Sequence, residues 1–517
     1  MSDPGSDVRR WPGFVRVHAE YPRDVVERAD VVVVGSGPCG AVAAYELAAA
    51  GREVVLLEEG PPFTPADFEL DGSISMARTM REGGLRFTSG YVMPTMQAIA
   101  LGGGSLVNSA ICGRCPDFRL EEWAAAADLA RTSRKDLEPH YDAVAAFLGI
   151  APTPDAVQGR RNLLFRDGCQ ALGWSAEPTA RNVTGCRGSG ECFTGCRARA
   201  KQSMDVSYVP AAIRAGARVY TSVQVQRIHA QGRRATGVSG RVVAPFTGRP
   251  GPRVRVDARA VVVAAGVLAT PILLRRSGDL ANSSGQVGEN LQFHPGTSVL
   301  GVFAEPIDPV FGATQGYQCL EFLREGYKLE TLWAPPGVLA VRMPGSGHEF
   351  KRALLEMRHA AVWDAIASCP RSSGRVRERG STLEPGMRWY FHPEDARRLG
   401  RAVWKLAQIF FAAGASRIMP GVAGLPAEMH SLEEARVLER RVPGADDLVC
   451  ASTHVFGTTR MHGDPRRGVV DEECRTHDLD NLYLVDTGVF PMSPAVNPMF
   501  TGMALARRAA LALAARL

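Results

Sequence analysis

Near the C-terminus the chain runs THVFGTTRMHGD, Thr453 to Asp464, with a histidine close to each end. Histidine ionises closest to neutrality, so His454 or His462 could take up and return a proton at physiological pH. A third histidine, His477, lies in the polar turn RTHDLDN and reads as a surface residue. Further on, Asn497-Pro498 precedes MFTGMALARRAALALAARL. That pair has a structural account, with Asn as N-cap and Pro as first helical residue. The start of such a helix carries partial positive charge, which can stabilise negative charge in a ligand.

The elements that must position these groups begin at ADVVVVGSGPCGAVAAYELAAAGREVVLLEEG. Val31 to Val34 form a β-branched run suited to a strand buried on both faces. Gly35, Gly37 and Gly40 then match G-x-G-x-x-G, and an alanine-rich helix follows. The glycines allow a tight turn, close approach of a pyrophosphate and close helix–strand packing. A second apolar run, Val54 to Leu57, ends in Glu58-Glu59, where a carboxylate can accept from ribose hydroxyls. NAD and FAD both remain open from this segment. The run LGGGSLVN adds Gly103 and Gly104, whose backbone can approach a ligand, and the polar side chains of Ser105 and Asn108. RAVVVAAGVLATPILLRRSG reads as a strand ending at Gly266, and NLYLVDTGVFP as another with Asp486 at its end.

Several of these motifs in order resemble one family over nearly the whole chain. VVGSGPCG, LLEEG, LGGGSLVN, AAGVLATPILL, VGENLQFHPG, HVFGTTRM and NLYLVDTGVFPMSPAVNPMFTGMALARR resemble the glucose–methanol–choline (GMC) family of FAD-dependent alcohol oxidases and dehydrogenases. GCRGSGECFTGCRARAKQSMDVSYVP is most similar to the branch of cholesterol oxidases and long-chain alcohol oxidases. The resemblance implies FAD as cofactor, with Glu58 at the adenosine ribose and Val225 holding adenine through its backbone. It also implies Asp486 near the ribityl–pyrophosphate region. Gly35, Gly37, Gly40, Gly103, Gly104, Ser105, Asn108, Gly266 and Pro498 complete the implied cofactor set. Some members attach FAD through a histidine just before the equivalent of Asn108; Val107 stands there, which implies non-covalent FAD. The family's base precedes G-T-x-R-M, which is His454, and its second catalytic position is Asn497. His462 falls beyond that motif and takes a structural role. The implied reaction oxidises the CH–OH group of a lipophilic alcohol to a carbonyl and passes electrons to O2 or another acceptor. An NAD-linked dehydrogenase and a non-catalytic flavin-binding protein are the alternatives.

The expected fold is α/β: a Rossmann-like FAD-binding domain with a second α+β domain built on an antiparallel sheet, as in p-hydroxybenzoate hydroxylase-like architectures. The FAD-binding domain spans 25–296, with an inserted region at about 116–200, and resumes at 445–517. The substrate domain spans 297–444. There HPGTSVLGVFAEP and QGYQCLEFL read as strands, and EDARRLGRAVWKLAQIFFAAG as an amphipathic helix starting near Glu394. VVAPFTGRPGPRVRV reads as a hairpin.

Composition supports a large core, with 45% apolar and 22% charged residues over 517. The net charge of +6 is scattered and no basic run interleaves with aromatics, which argues against nucleic acid. No apolar stretch reaches transmembrane length and MSDPGSDVRRWPGF lacks a leader's apolar core, so a soluble cytoplasmic protein is expected. The 11 cysteines read mainly as reduced buried thiols. Cys112-x-x-Cys115 and Cys186, Cys192 and Cys196 could suggest metal. The latter spacing suits neither a zinc knuckle nor a ferredoxin, so no metal is expected and a disulfide stays open.

Overall fold

The computed structural model describes residues 14–15, 21–69, 71–340, 343, 345–380 and 384–517. Residues 1–13 of the stretch read for a leader lie outside them. Strands β1 (Phe14–Val15) and β2 (Val25–Val34) open the first sheet. The run Val31 to Val33 is fully buried, as its lack of polar alternation requires. Gly35 then turns the chain with φ of +100°, and a Cβ there would fall 2.2 Å from the Ala264 carbonyl oxygen. Helix α1 (Pro38–Ala49) starts with proline in its first turn, and β3 (Val54–Leu57) returns beside β2.

The stretch 116–200, expected as one inserted region, divides between the two halves of the molecule. Helix α2 (Arg134–Leu148) serves the first sheet's side, because Tyr141 packs edge-on against Phe500 at 4.8 Å and donates to Thr501 Oγ1 at 2.8 Å. Helix α3 (Arg160–Ala171) and strand β4 (Glu177–Pro178) join the second sheet. The chain returns to the first sheet through β5 (Arg218–Tyr220), β6 (Val223–Gln231), β7 (Arg234–Val243) and β8 (Pro250–Val263). The expected hairpin is the β7–β8 connection.

The second sheet is built from β9 (Gly296–Val302), β10 (Tyr317–Cys319), β11 (Tyr327–Leu332) and β12 (Ala360–Ala367). Helix α4 (Pro393–Ala412) backs it, with His392 as N-cap accepting from Glu394 N–H, and β13 (Arg417–Met419) edges it. Strand β14 (Leu482–Leu484) and helix α5 (Met499–Arg516) complete the first half. The first sheet runs β1-β5-β3-β2-β8-β7-β6, with β14 also on β8; its β1 to β8 pairings are parallel and its β8-β7-β6 meander antiparallel. The second runs β13-β9-β12-β11-β10-β4 and is antiparallel throughout.

Side-chain alternation gives the second sheet two unlike faces. Val299, Trp363 and Leu329 point into the core with α4, where Trp363 stacks on Phe410 at 3.7 Å. Ser298, Asp364 and Glu330, side by side in register, line a chamber on the other face. Among the described residues no helix is long and apolar enough to cross a membrane.

Candidate active site

The chamber between the two sheets has a volume of about 1060 Å³, at the upper end of the range for small-molecule and cofactor sites. At its floor lie Gly35, Gly37, Glu58, Gly103, Gly104 and Asn108. Val225, Gly266, Asp486 and Pro498 also border it, as do His454 and Asn497. Two expected residues do not line it. Gly40 serves packing, since a Cβ would meet the Gly35 carbonyl oxygen at 1.9 Å. Ser105, expected to reach a ligand with its hydroxyl, instead donates to Gly102 O at 2.6 Å and accepts from Met204 N–H at 2.9 Å. Its side chain closes the glycine loop on itself.

The floor suits a dinucleotide on its own geometry. Gly104 and Gly266 face open space, and a Cβ on Gly103 would sit 2.6 Å from Gly37 Cα, so the two glycine loops touch. Glu58 is 8% exposed; Oε2 accepts from Ser36 N–H at 2.8 Å and Oε1 from Gly60 N–H at 2.7 Å. Burial raises its carboxyl above the usual value, with the Ser36 and Gly60 hydrogen bonds opposing. Oε2 also accepts from Ser36 Oγ at 2.6 Å and is filled, whereas Oε1 keeps a second lone pair for a ribose hydroxyl. Asp486 is held by Thr270 Oγ1 at 2.5 Å, Gly488 N–H at 2.8 Å and Gly266 N–H at 3.1 Å. Asn108 Oδ1 accepts from Ala110 N–H at 3.0 Å, while Val107 is 8% exposed and borders the chamber. An FAD-sized ligand therefore fits these residues.

A two-residue pairing brings two histidines together. Gln292 and Phe293 pair antiparallel with Phe456 and Val455, so the next residue on one strand, His294, falls beside the preceding one on the other, His454. Gly457 turns the chain after that strand with φ of +88°, and Thr458 Oγ1 anchors the turn on Val267 O at 2.6 Å. His454 Nδ1 lies 3.2 Å from His294 Nδ1, and His294 Nε2 contacts Ser493 Oγ. On its other side His454 Nε2 lies 3.5 Å from Asn497 Nδ2.

Asn497 does not cap α5 as expected. Pro498 occupies the N-cap position, with no side-chain capping bond. The Asn497 amide is held instead by Lys328 Nζ, which donates to Oδ1 at 2.7 Å and pairs with Glu330 Oε2 at 2.7 Å. Lys328 is 1% exposed and Glu330 2%.

The donor inventory assigns the protons along this chain. A lysine only donates, so Asn497 Oδ1 faces it and Nδ2 faces His454. His454 Nε2 is then the acceptor, Nδ1 carries the proton, and it donates to His294 Nδ1. His294 in turn donates through Nε2 to Ser493, which also accepts from Ala495 N–H at 3.2 Å and leaves its own proton for Ser368 Oγ at 3.0 Å. Both rings are neutral. Burial and then the Lys328 charge lower His454 to about 3, and burial and then His454 hold His294 well below the usual value. Both shifts favour the uncharged ring.

Sequence reasoning missed Lys328, Glu330 and the role of His294. The signal for the first two was YKLETL, where Lys and Glu alternate on one face of an otherwise buried strand. His462 lies away from the chamber: its Nδ1 accepts from Asp464 N–H at 2.9 Å and its carbonyl contacts His477 Nε2 at 3.0 Å. That contact makes His477 part of a folded turn.

All 11 cysteines are free thiols, and among the described residues no three histidine, cysteine or acidic side chains group to hold a metal. Burial raises Cys192, but Arg181, with Nη2 3.0 Å from the sulfur, and then Lys201 bring it below the ordinary thiol value. Lys201 also donates to Leu106 O at 2.6 Å and Asn108 O at 2.8 Å, tying the cysteine loop to the glycine loop.

Two layers meeting over a glycine-lined floor suited to a dinucleotide, with a histidine–asparagine pair bordering the chamber, fit an oxidoreductase that uses a dinucleotide cofactor. The chain belongs to the GMC oxidoreductase family: its N-terminal family model matches residues 30–296 and its C-terminal model residues 370–506. It is 35% identical to an uncharacterised GMC-type oxidoreductase of Mycobacterium tuberculosis, over 93% of this chain and 75% of that one. It is 28% identical to a long-chain-alcohol oxidase of Arabidopsis thaliana, over 92% of this chain and 66% of that one. Pyridoxine 4-oxidase from Mesorbium loti has the same fold, with a TM-score of 0.69 at 20% identity over 93% of this chain and 98% of that one.

Proposed function

We propose that the protein binds FAD non-covalently and oxidises the CH–OH group of a lipophilic alcohol to a carbonyl, with His454 as general base. The carrying observation is the 3.5 Å gap between His454 Nε2 and Asn497 Nδ2, both bordering the chamber. At that spacing a substrate oxygen in the chamber, to one side of the pair, can come within hydrogen-bond reach of both nitrogens. The substrate hydroxyl donates to Nε2 and accepts from the Asn497 amide. FAD bound on the glycine floor supplies the acceptor for the hydride that leaves the carbinol carbon.

His454 takes the hydroxyl proton at Nε2. Its Nδ1 proton can shift to His294 Nδ1, and the His294 Nε2 proton towards Ser493, which spreads the charge through a buried chain. Lys328, one residue removed through Asn497, favours the developing alkoxide electrostatically. Met76, Met80, Met96, Phe193, Val338 and Leu339 also line the chamber and offer an apolar surface for the carbon skeleton. Glu58 and Asp486 are the proposed ribose and ribityl–pyrophosphate contacts, and the backbone at Val225 the proposed adenine contact.

The test is spectral. Purified protein should carry a yellow flavin chromophore released by denaturation, and anaerobic addition of an alcohol should bleach it. Colourless protein, or a flavin that no alcohol reduces, would overturn the reading. The rate of recolouring in air distinguishes O2 from another electron acceptor.

A further inference from the structure

The chamber ceiling carries more polarity than a plain alkanol needs. Lys328 and Glu330 sit two apart on β11, on the face that borders the chamber, and both are almost fully buried. Burying two charges costs several kcal/mol each unless geometry offsets it. The pair meets through Oε2 at 2.7 Å, an oxygen closed off by its surroundings, which leaves Oε1 as the one that can meet a group in the chamber. Gln315, 7% exposed, lines the same chamber, three residues before Gln318, the strand partner of Glu330. The backbone fixes that neighbourhood, because Gly316 N–H donates to Thr331 Oγ1 at 3.0 Å. A polar side chain that opens onto the chamber without a protein partner is available to a ligand group that bonds it.

We infer that Glu330 and Gln315 form a second subsite, for a hydrogen-bond-donating substituent next to the reacting alcohol: a second hydroxyl or a protonated amine. This rests on the proposed alcohol oxidation. The carboxylate only accepts and the amide both accepts and donates, so a donor is the matching group and a carboxylate or ketone is not. Lys328 pairs with Glu330 while Asp364 lies beside it in register, so the subsite suits a neutral hydroxyl as well as an ammonium. Lys328 Nζ touches both Glu330 and Asn497 at 2.7 Å, which sets the spacing. The reacting hydroxyl at Asn497 and the donor at Glu330 are at most a few bonds apart. The substrate is then amphiphilic, with its polar head under the β11 ceiling and its skeleton along the methionine-rich wall.

The test uses the flavin-loaded protein in anaerobic stopped flow with octanol, its vicinal diol and its vicinal amino alcohol. The limiting rate of flavin reduction divided by Kd should favour at least one donor-bearing substrate by about ten-fold, the worth of one good hydrogen bond. The diol and amine arms separate a hydroxyl from an ammonium as the donor. That ratio should fall toward one in Gln315→Leu, which is close in size, and in Glu330→Gln. Equal reduction by all three substrates in the wild type, or a preference that survives both substitutions, would overturn the subsite while leaving alcohol oxidation standing. Failure of every alcohol to reduce the flavin would overturn both.

Discussion

His454 and His294 face each other through their Nδ1 atoms at 3.2 Å, so one ring supplies a proton and the other a lone pair. The proposed base, His454, is therefore not held alone. Its tautomer is set from both sides, by Asn497 at Nε2 and by His294 at Nδ1.

His294→Gln should lower the limiting rate of flavin reduction by roughly ten- to a hundred-fold, the usual effect of removing a group that orients a reacting histidine. Kd for the alcohol should change little, because both His294 ring nitrogens are already engaged, by His454 and by Ser493. Anaerobic stopped flow separates the two quantities. A raised Kd with an unchanged rate would assign His294 to binding instead.

Lys328→Met leaves Glu330 buried without its partner. A loss of about 3–5 kcal/mol in stability is expected, measured by denaturant unfolding. Replacing both, as Lys328→Met with Glu330→Leu, should restore most of that stability but not the rate of flavin reduction. Recovery of the rate as well would mean that the pair serves folding only.

Acid should destabilise the protein through His454. In the unfolded chain its ring takes a proton below about 6.5. In the folded protein burial and Lys328 delay that until about 3. Between these values the unfolded state binds more protons, so stability falls as pH falls. The loss reaches about 1.4 kcal/mol per pH unit and stops below the folded value. His294 adds in the same direction. Unfolding free energies from pH 7 downward should therefore be less steep for His454→Gln than for wild type, about one proton fewer by slope.

Gly103→Ala tests the contact between the two glycine loops. Its Cβ would fall 2.6 Å from Gly37 Cα, at a φ of +55° that L side chains rarely adopt. A loss of about 1–3 kcal/mol and weaker flavin retention are expected, read from the melting temperature and the flavin-to-protein ratio. Gly104→Ala, where a Cβ meets nothing within 4 Å, should affect flavin retention more than folding.

Much of this architecture was legible because it is local. Val31 to Val34, the glycine triplet and Glu58 are contiguous, so a strand, turn and helix could be read from spacing alone. The resemblance implied His454 and Asn497 together, and the two side chains do meet on the chamber lining. What spacing could not give was tertiary. Lys328 and Glu330 reach Asn497 only because the antiparallel sheet is folded over the dinucleotide unit. His294 meets His454 through one short strand pairing between segments 160 residues apart. Asn497 was misjudged as a cap for the same reason: its competing partner, Lys328, lies 169 residues away. Ser105 was misjudged because a serine beside glycines can turn its hydroxyl inward onto its own loop as readily as outward.

The most direct test of the account is the reductive half-reaction of His454→Ala. The variant should bind FAD with an ordinary flavin spectrum, since His454 is not part of the glycine floor. Its anaerobic reduction by an alcohol that bleaches the wild type should be slower by about 10²–10⁴-fold, the range for loss of a general base. The parallel His462→Ala variant should be reduced at nearly the wild-type rate. Near-normal reduction of the His454 variant across several alcohols would contradict the assignment.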